Sequence, residues 1–173
     1  MARVRRAGSE DAGLMAALTR QCWAGSVPGD SSAHFEDETR VLSDLASGGG
    51  LILEHGVIAV ASLRWRDLPP GASGPGRATP RLWEVCRLGV LPHHRQHGHG
   101  ERLMREVEAL AASGGVPEVR LAVRRDASVK LVQFYQRLGY TIDPALVYSH
   151  ANPQNPTPIV MRKELLHAMG VSA

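Results

Sequence analysis

From Val90 to Met104 the chain reads Val-Leu-Pro-His-His-Arg-Gln-His-Gly-His-Gly-Glu-Arg-Leu-Met, and no other stretch limits the fold so tightly. An apolar run ends at Val90, a polar turn spans Pro92 to His97, and Leu103, Met104, Val107, Leu110 and Ala111 then recur at helical spacing. That periodicity makes the segment a strand, a tight loop and a helix from about Gly98 to Ser113. The first N–H groups of such a helix have no intrahelical acceptors, and they converge with the positive end of its dipole. The junction therefore suits an anion, phosphate above all. Gly98 and Gly100 let the backbone approach the anion with no side chain in the way, and Arg95 adds a cation able to pair bidentately with phosphate oxygens.

The rest of the chain supplies a sheet for this unit to pack on. Ser9 stands where a helix cap is needed, with Glu10 and Asp11 in the first turn, and Leu14, Met15, Leu18 and Cys22 follow at helical spacing to about Trp23. After Asp30-Ser31-Ser32, a second stripe of Phe35, Val41, Leu42 and Leu45 predicts a helix that Gly48-Gly49-Gly50 ends. Two apolar runs, Leu51 to Glu54 and Val57 to Leu63, flank His55-Gly56 and read as a hairpin with that pair as its turn. Asp67 to Pro80, with four prolines and three glycines, reads as a loop. Strands are predicted over Arg81 to Val90 and Glu118 to Val123, a helix over Ser128 to Leu138, and one or two strands after Tyr140, interrupted by Pro153-Gln154-Asn155-Pro156. This order implies an α/β fold (α+β in some schemes) with a mixed central sheet of six to seven strands and helices on both faces.

Composition narrows the function. The chain of 173 residues is expected to form a single domain, 1–173. Lys and Arg exceed Asp and Glu by 20 − 17 = +3, which suits an anionic ligand and is too little to argue for nucleic acid. Cys22 and Cys86 are far apart, so no disulfide framework is expected and a reducing cytoplasm is the expected location. The basic opening Met1 to Arg6 runs into Ser9, Glu10 and Asp11 where a leader needs an apolar core, and no stretch reaches the roughly 18 apolar residues of a membrane span. His93, His94, His97 and His99 lack the spacing of a helical His pair and have no Cys or Asp nearby, so no metal is expected. A Walker loop would need Lys then Ser or Thr where Glu101 and Arg102 stand, and a dinucleotide fingerprint would need glycine at Leu103.

What does match is Arg/Gln-x-x-Gly-x-Gly/Ala, here Arg95-Gln96-His97-Gly98-His99-Gly100, five residues beyond Val90. It resembles the acyl-CoA pyrophosphate loop of the GNAT superfamily of N-acyltransferases. Leu121-Ala122-Val123, Ser128 and Phe134-Tyr135-Gln136-Arg137-Leu138-Gly139-Tyr140 are similar to that family's second signature, and the two together cover Leu82 to Tyr140. The resemblance implies splayed parallel central strands, Arg81 to Val90 and Glu118 to Val123. It also implies acetyl-CoA as donor, with its pantetheine on the backbone of Leu88, Gly89 and Val90 and its diphosphate on Arg95, Gln96, His97, Gly98, His99, Gly100 and Glu101. Ser128 stands where many members carry a cofactor-binding Asn, and it equally suits a helix N-cap.

For catalysis, the resemblance implies Tyr135 as the general acid that protonates the leaving thiolate and Glu84 as the base that takes the proton of a primary amine acceptor. A backbone N–H near Leu88 would stabilise the oxyanion. The expected partners are acetyl-CoA and an amine, small molecule or peptide, with no nucleic acid and no membrane, in a monomer or homodimer. The alternative is a CoA-binding module of the same fold that has no catalysis and acts as a regulatory or interaction partner.

Overall fold

A computed structural model gives the structure, which describes residues 1–25, 29, 31–71, 79–127 and 129–165. Within them run seven strands and four α-helices: β1 (Ala2–Arg6), α1 (Ala12–Trp23), α2 (Glu38–Ser47), β2 (Gly48–His55), β3 (Ile58–Leu68), β4 (Leu82–Val90), α3 (His99–Ser113), β5 (Glu118–Val123), α4 (Val129–Arg137), β6 (Thr141–Ile142) and β7 (Ile159–Glu164). The strands form one mixed sheet in the order β1-β2-β3-β4-β5-β7-β6. The chain divides into two compact units, one of Met1–Arg66 with Val85–Val107, the other of Asp67–Glu84 with the chain from Glu108 onward.

In the first unit, β1 pairs antiparallel with β2, Ala2 opposite His55 and Arg6 opposite Leu51. The sequence offered only a short basic stretch here, and arginines are what an edge strand carries to stay unpaired on its outer side. Helix α1 starts differently from expectation. Ser9 begins a single 3-10 turn, and the orphan N–H of Gly8 is taken by Asp11 Oδ2 at 2.9 Å while both Asp11 oxygens accept Arg5 at 2.8 Å. Asp37, whose carboxylate accepts the Arg40 N–H at 2.8 Å, caps α2. The glycine triplet after α2 does not merely stop it; those residues open β2. The hairpin turn is Gly56-Val57, one residue later than the pattern suggested, because His55 still pairs with Ile58. Met15, Ala12 and Ala16 of α1, Val41 of α2 and Ile52 of β2 form a fully apolar cluster.

Beside that cluster lies a set of buried charges. Arg64, 1% exposed, reaches Glu36 at 2.8 Å and Asp44 at 3.3 Å; Arg87 meets the other oxygen of Glu36 at 2.9 Å, and Arg66 meets Asp44 at 3.0 Å. Cys86 Sγ donates to Asp44 Oδ2 at 3.6 Å. Burial, then the Asp44 charge, push its thiol up to about 12, and burial raises Cys22 to about 11, so neither is a thiolate at neutral pH.

In the second unit, β5 and β7 pair antiparallel from Glu118 opposite Glu164 to Val123 opposite Ile159, and Thr141-Ile142 adds a short strand beside Arg162 and Met161. Leu82 begins β4, and Arg81 in front of it is clasped by Asp67. Part of the expected loop from Asp67 is strand, since β3 runs to Leu68; its residues 72–78 lie outside the described residues.

Candidate functional site

The glycine-containing loop begins where β4 ends. Leu91 N–H donates to Val60 O at 2.9 Å, which fixes the strand's last residue, and a 3-10 turn over Pro92–His94 leads into Arg95. Gln96 and Gly98 then adopt φ of +63° and +75°. Left-handed residues in such a turn tilt their N–H groups toward a common side, the basis of anion-binding concavities. At Gly98 only glycine adopts this φ without cost, and no atom lies within 4 Å of where its Cβ would stand. Arg102 N–H closes the first helical bond onto Gly98 O at 2.9 Å, leaving the N–H groups of His99, Gly100 and Glu101 without intrahelical acceptors. An open recess of about 360 Å³ lies beside them, lined by Gly98, Glu101, Arg102, Arg105 and Glu106.

The side chains of the loop do other things than the sequence suggested. Arg95 lays Nε on Val90 O at 3.1 Å and Nη2 on Cys22 O at 2.6 Å, so it ties the last turn of α1 to the end of β4. Glu101 accepts twice from Arg105, at 2.7 and 2.9 Å. The His97 and His99 rings stack with centroids 5.9 Å apart, and His94 and His55 follow at the edge. His99 is held below the usual imidazole value by burial first and by the neighbouring His97, His94 and His55 next. No group of three or more His, Cys, Asp or Glu among the described residues is placed to hold a metal ion.

Leu88, Gly89 and Val90 form the half-buried end of β4. Gly89 has a packing reason that the sequence left open: a Cβ there would stand 2.9 Å from Cys22 Cβ and 3.0 Å from its Sγ. Helix α1 thus presses on the strand. Next to it, Trp23 Nε1 is buried without a hydrogen-bond partner, 3.5 Å from that same Cβ position. A buried N–H left unpaired costs about 1–3 kcal/mol, so a donor so placed suits a carbonyl oxygen of a bound molecule.

Tyr135 and Glu84 both fall in the second unit. Tyr135, on the last turn of α4, is buried, its ring edge-on to Phe134 at 5.0 Å and to Tyr140 at 6.0 Å. Burial raises its phenol above the usual value, so the neutral O–H, a proton donor, persists across physiological pH. Tyr140 is positioned rather than reactive: its hydroxyl donates to Glu108 at 2.9 Å, and Lys163 bonds the other Glu108 oxygen at 2.7 Å. Ser128 lies outside the described residues.

Glu84 is 2% exposed. Its carboxylate accepts the N–H of Ser149 at 3.2 Å and the Ser149 hydroxyl. Neither Ser149 nor the adjacent His150 belongs to a motif; they follow Glu84 by 65 residues or more, and only a polar Tyr148-Ser149-His150 step in the last long loop hinted at them.

The sequence profile of the acetyltransferase (GNAT) family matches residues 15–140. No curated protein matches by sequence. Among solved structures, the chain is similar to PaiA N-acetyltransferase of Thermoplasma acidophilum in complex with coenzyme A, at 17% identity over 95% of this chain and 99% of that one, with a TM-score of 0.71. It is similar to the ribosomal-protein-S18-alanine N-acetyltransferase of Escherichia coli at 16% identity over 100% and 99% of the two chains, TM-score 0.68. Naa50 of Arabidopsis thaliana, in complex with the bisubstrate analogue CoA-Ac-MVNAL, shares 16% identity over 94% and 97%, TM-score 0.66. At these identities the common property is the fold.

Proposed function

Because the chain belongs to the acetyltransferase (GNAT) family, we propose that it transfers an acetyl group from acetyl-CoA directly to a primary amine. The observation that carries this reading is the β4–α3 loop, where left-handed Gln96 and Gly98 precede a helix start with unsatisfied N–H groups. A diphosphate supplies the acceptors those donors lack. The unpartnered Trp23 Nε1 beside Gly89 supports an amide- or acyl-bearing arm along Leu88, Gly89 and Val90.

Acetyl-CoA supplies an activated thioester. The loop from Arg95 to Glu101 holds its anionic end through backbone N–H groups, with Arg95 setting the loop's position by its bonds to Val90 O and Cys22 O. Tyr135 keeps its proton until a thiolate forms, and a thiolate released into a dry environment is raised by the same burial that raises the phenol. Glu84 is buried, and its oxygens accept from Ser149. Its part is to back a base.

The test is a thiol-release assay with acetyl-CoA against pooled amines, alongside calorimetric titration with CoA. Amine-dependent release with CoA binding is the expected result. Tight CoA binding with no release across the panel would replace this reading by a non-catalytic CoA-binding module.

A further inference from the structure

A line of hydrogen bonds runs from Glu84 in the core to an exposed imidazole, all inside the second unit. Ser149 gives its N–H to Glu84 Oε2 at 3.2 Å and its hydroxyl to Oε1, and Ser149 Oγ stands 2.6 Å from His150 Nδ1. His150 itself is exposed. Chemistry sets the direction of each bond. An ionised Glu84 only accepts, so the Ser149 hydroxyl donates its single proton to Oε1; Oγ is then left to accept, and the proton of the neutral imidazole sits on Nδ1. Nε2 keeps its lone pair.

We propose that His150 Nε2 is the base that takes the acceptor's proton, with Ser149 and Glu84 as positioning residues that hold the ring in its Nδ1–H tautomer and stabilise the imidazolium through the hydroxyl. The substrate class rests on the acetyl-transfer reading above. An alkylammonium with pKa near about 10.4 has to lose a proton before its nitrogen can attack. The amine gives that proton to Nε2, its lone pair forms the C–N bond as the acyl C–S bond breaks, and sulfur keeps the bonding pair. The sulfur gains a proton from Tyr135, the nitrogen's second proton restores the Tyr135 phenol, and the one net proton leaves to solvent from His150. Nothing is oxidised or reduced. The arrangement follows the base-and-orienter logic of a catalytic triad with a hydroxyl between the two.

Two measurements test it. In 15N imidazole spectra at pH 8, the wild-type ring of His150 is expected as the Nδ1–H tautomer, and Ser149→Ala is expected to redistribute it toward Nε2–H. With the amine that the thiol-release screen selects, His150→Gln should lower kcat/KM about 10²-fold and remove the acid limb of its pH profile, with melting temperature and CoA affinity unchanged. Ser149→Ala and Glu84→Gln should keep that limb and lower kcat/KM by a smaller factor, because the ring loses the partner that orients it. A wild-type ring in the Nε2–H form, or an acid limb that survives in His150→Gln, overturns the assignment. If the wild-type protein releases no thiol with any amine, the acetyl-transfer reading falls and the base assignment falls with it; if it does release thiol and His150→Gln behaves as wild type, only the base assignment falls.

Discussion

In the β4–α3 loop the groups left without intrahelical acceptors are backbone N–H groups from a handful of consecutive residues, whereas the line from Glu84 to His150 is made of side chains, with 65 residues between Glu84 and Ser149. The loop's chemistry depends on dihedral angles: Gln96 and Gly98 at positive φ aim the amides, and the identities of His97 and His99 matter little to that geometry. The line's chemistry depends on identity, since removing the hydroxyl deletes the bonds through it and exchanging the carboxylate for an amide lets a bond reverse. Sites built from backbone fail when the backbone is forced elsewhere, and sites built from side chains fail when an atom is exchanged.

That contrast can be broken or sharpened by experiment. The largest effect is expected from Gly98→Glu, which combines a strained left-handed φ, worth about 1–2 kcal/mol, with a like charge beside the anion. CoA affinity measured by calorimetry should fall by about 10²-fold or more, and a change smaller than threefold would remove the loop from the binding site. Tyr135→Phe removes one atom and no packing; turnover should drop about 10²-fold while CoA affinity and thermal stability stay put. Unaltered turnover would mean the phenol is only part of the aromatic cluster with Phe134 and Tyr140.

A smaller change is expected at Gly89, where an added methyl meets Cys22 Cβ at 2.9 Å. Gly89→Ala should cost about 1–3 kcal/mol of stability, read as a lower melting temperature. A variant as stable as wild type would show that α1 yields readily there. The smallest effect concerns His99. Its folded value lies below the usual 6.5, so the free protein holds it neutral at pH 7, and a bound phosphate favours its charged form. Binding then takes up a proton, and CoA affinity should rise as pH falls from 7 toward and below 6.5, by less than about tenfold. His99→Gln should reduce that rise, and an identical pH dependence in the variant would exclude the ring from the anion's surroundings.

The elements with strong periodicity are legible in the amino-acid sequence: α3, β5 and α4 lie within a residue or two of where the apolar spacing puts them. The loop between β4 and α3 is legible for the same reason, because its chemistry is contained in neighbouring residues. Long-range partners are not. Strand β1 is too short and too basic to stand out, and its arginines make sense only once Arg5 is seen clasping Asp11 and Glu54. Arg95 reads as a phosphate ligand, yet Cys22 O, 73 residues earlier in the chain, takes its guanidinium. Glu84 stands out as a carboxylate of interest, but its hydrogen bonds come from Ser149, which in turn meets His150, and nothing local to β4 points to them. Gly89 is ambiguous in sequence because the atom that crowds it belongs to α1.

The buried Arg64, Glu36 and Asp44, with half-buried Arg66 and Arg87 against them, bear on how this sequence can drift. Taking away Arg64, Glu36 or Asp44 leaves an opposite charge poorly compensated in the interior and costs about 3–5 kcal/mol, enough to threaten folding, while exchanging several together for apolar residues of like volume is close to neutral. Descendants of this chain are therefore confined to keeping Arg64 with Glu36 and Asp44 or abandoning them in a coordinated step, and single-site variation should avoid these three positions.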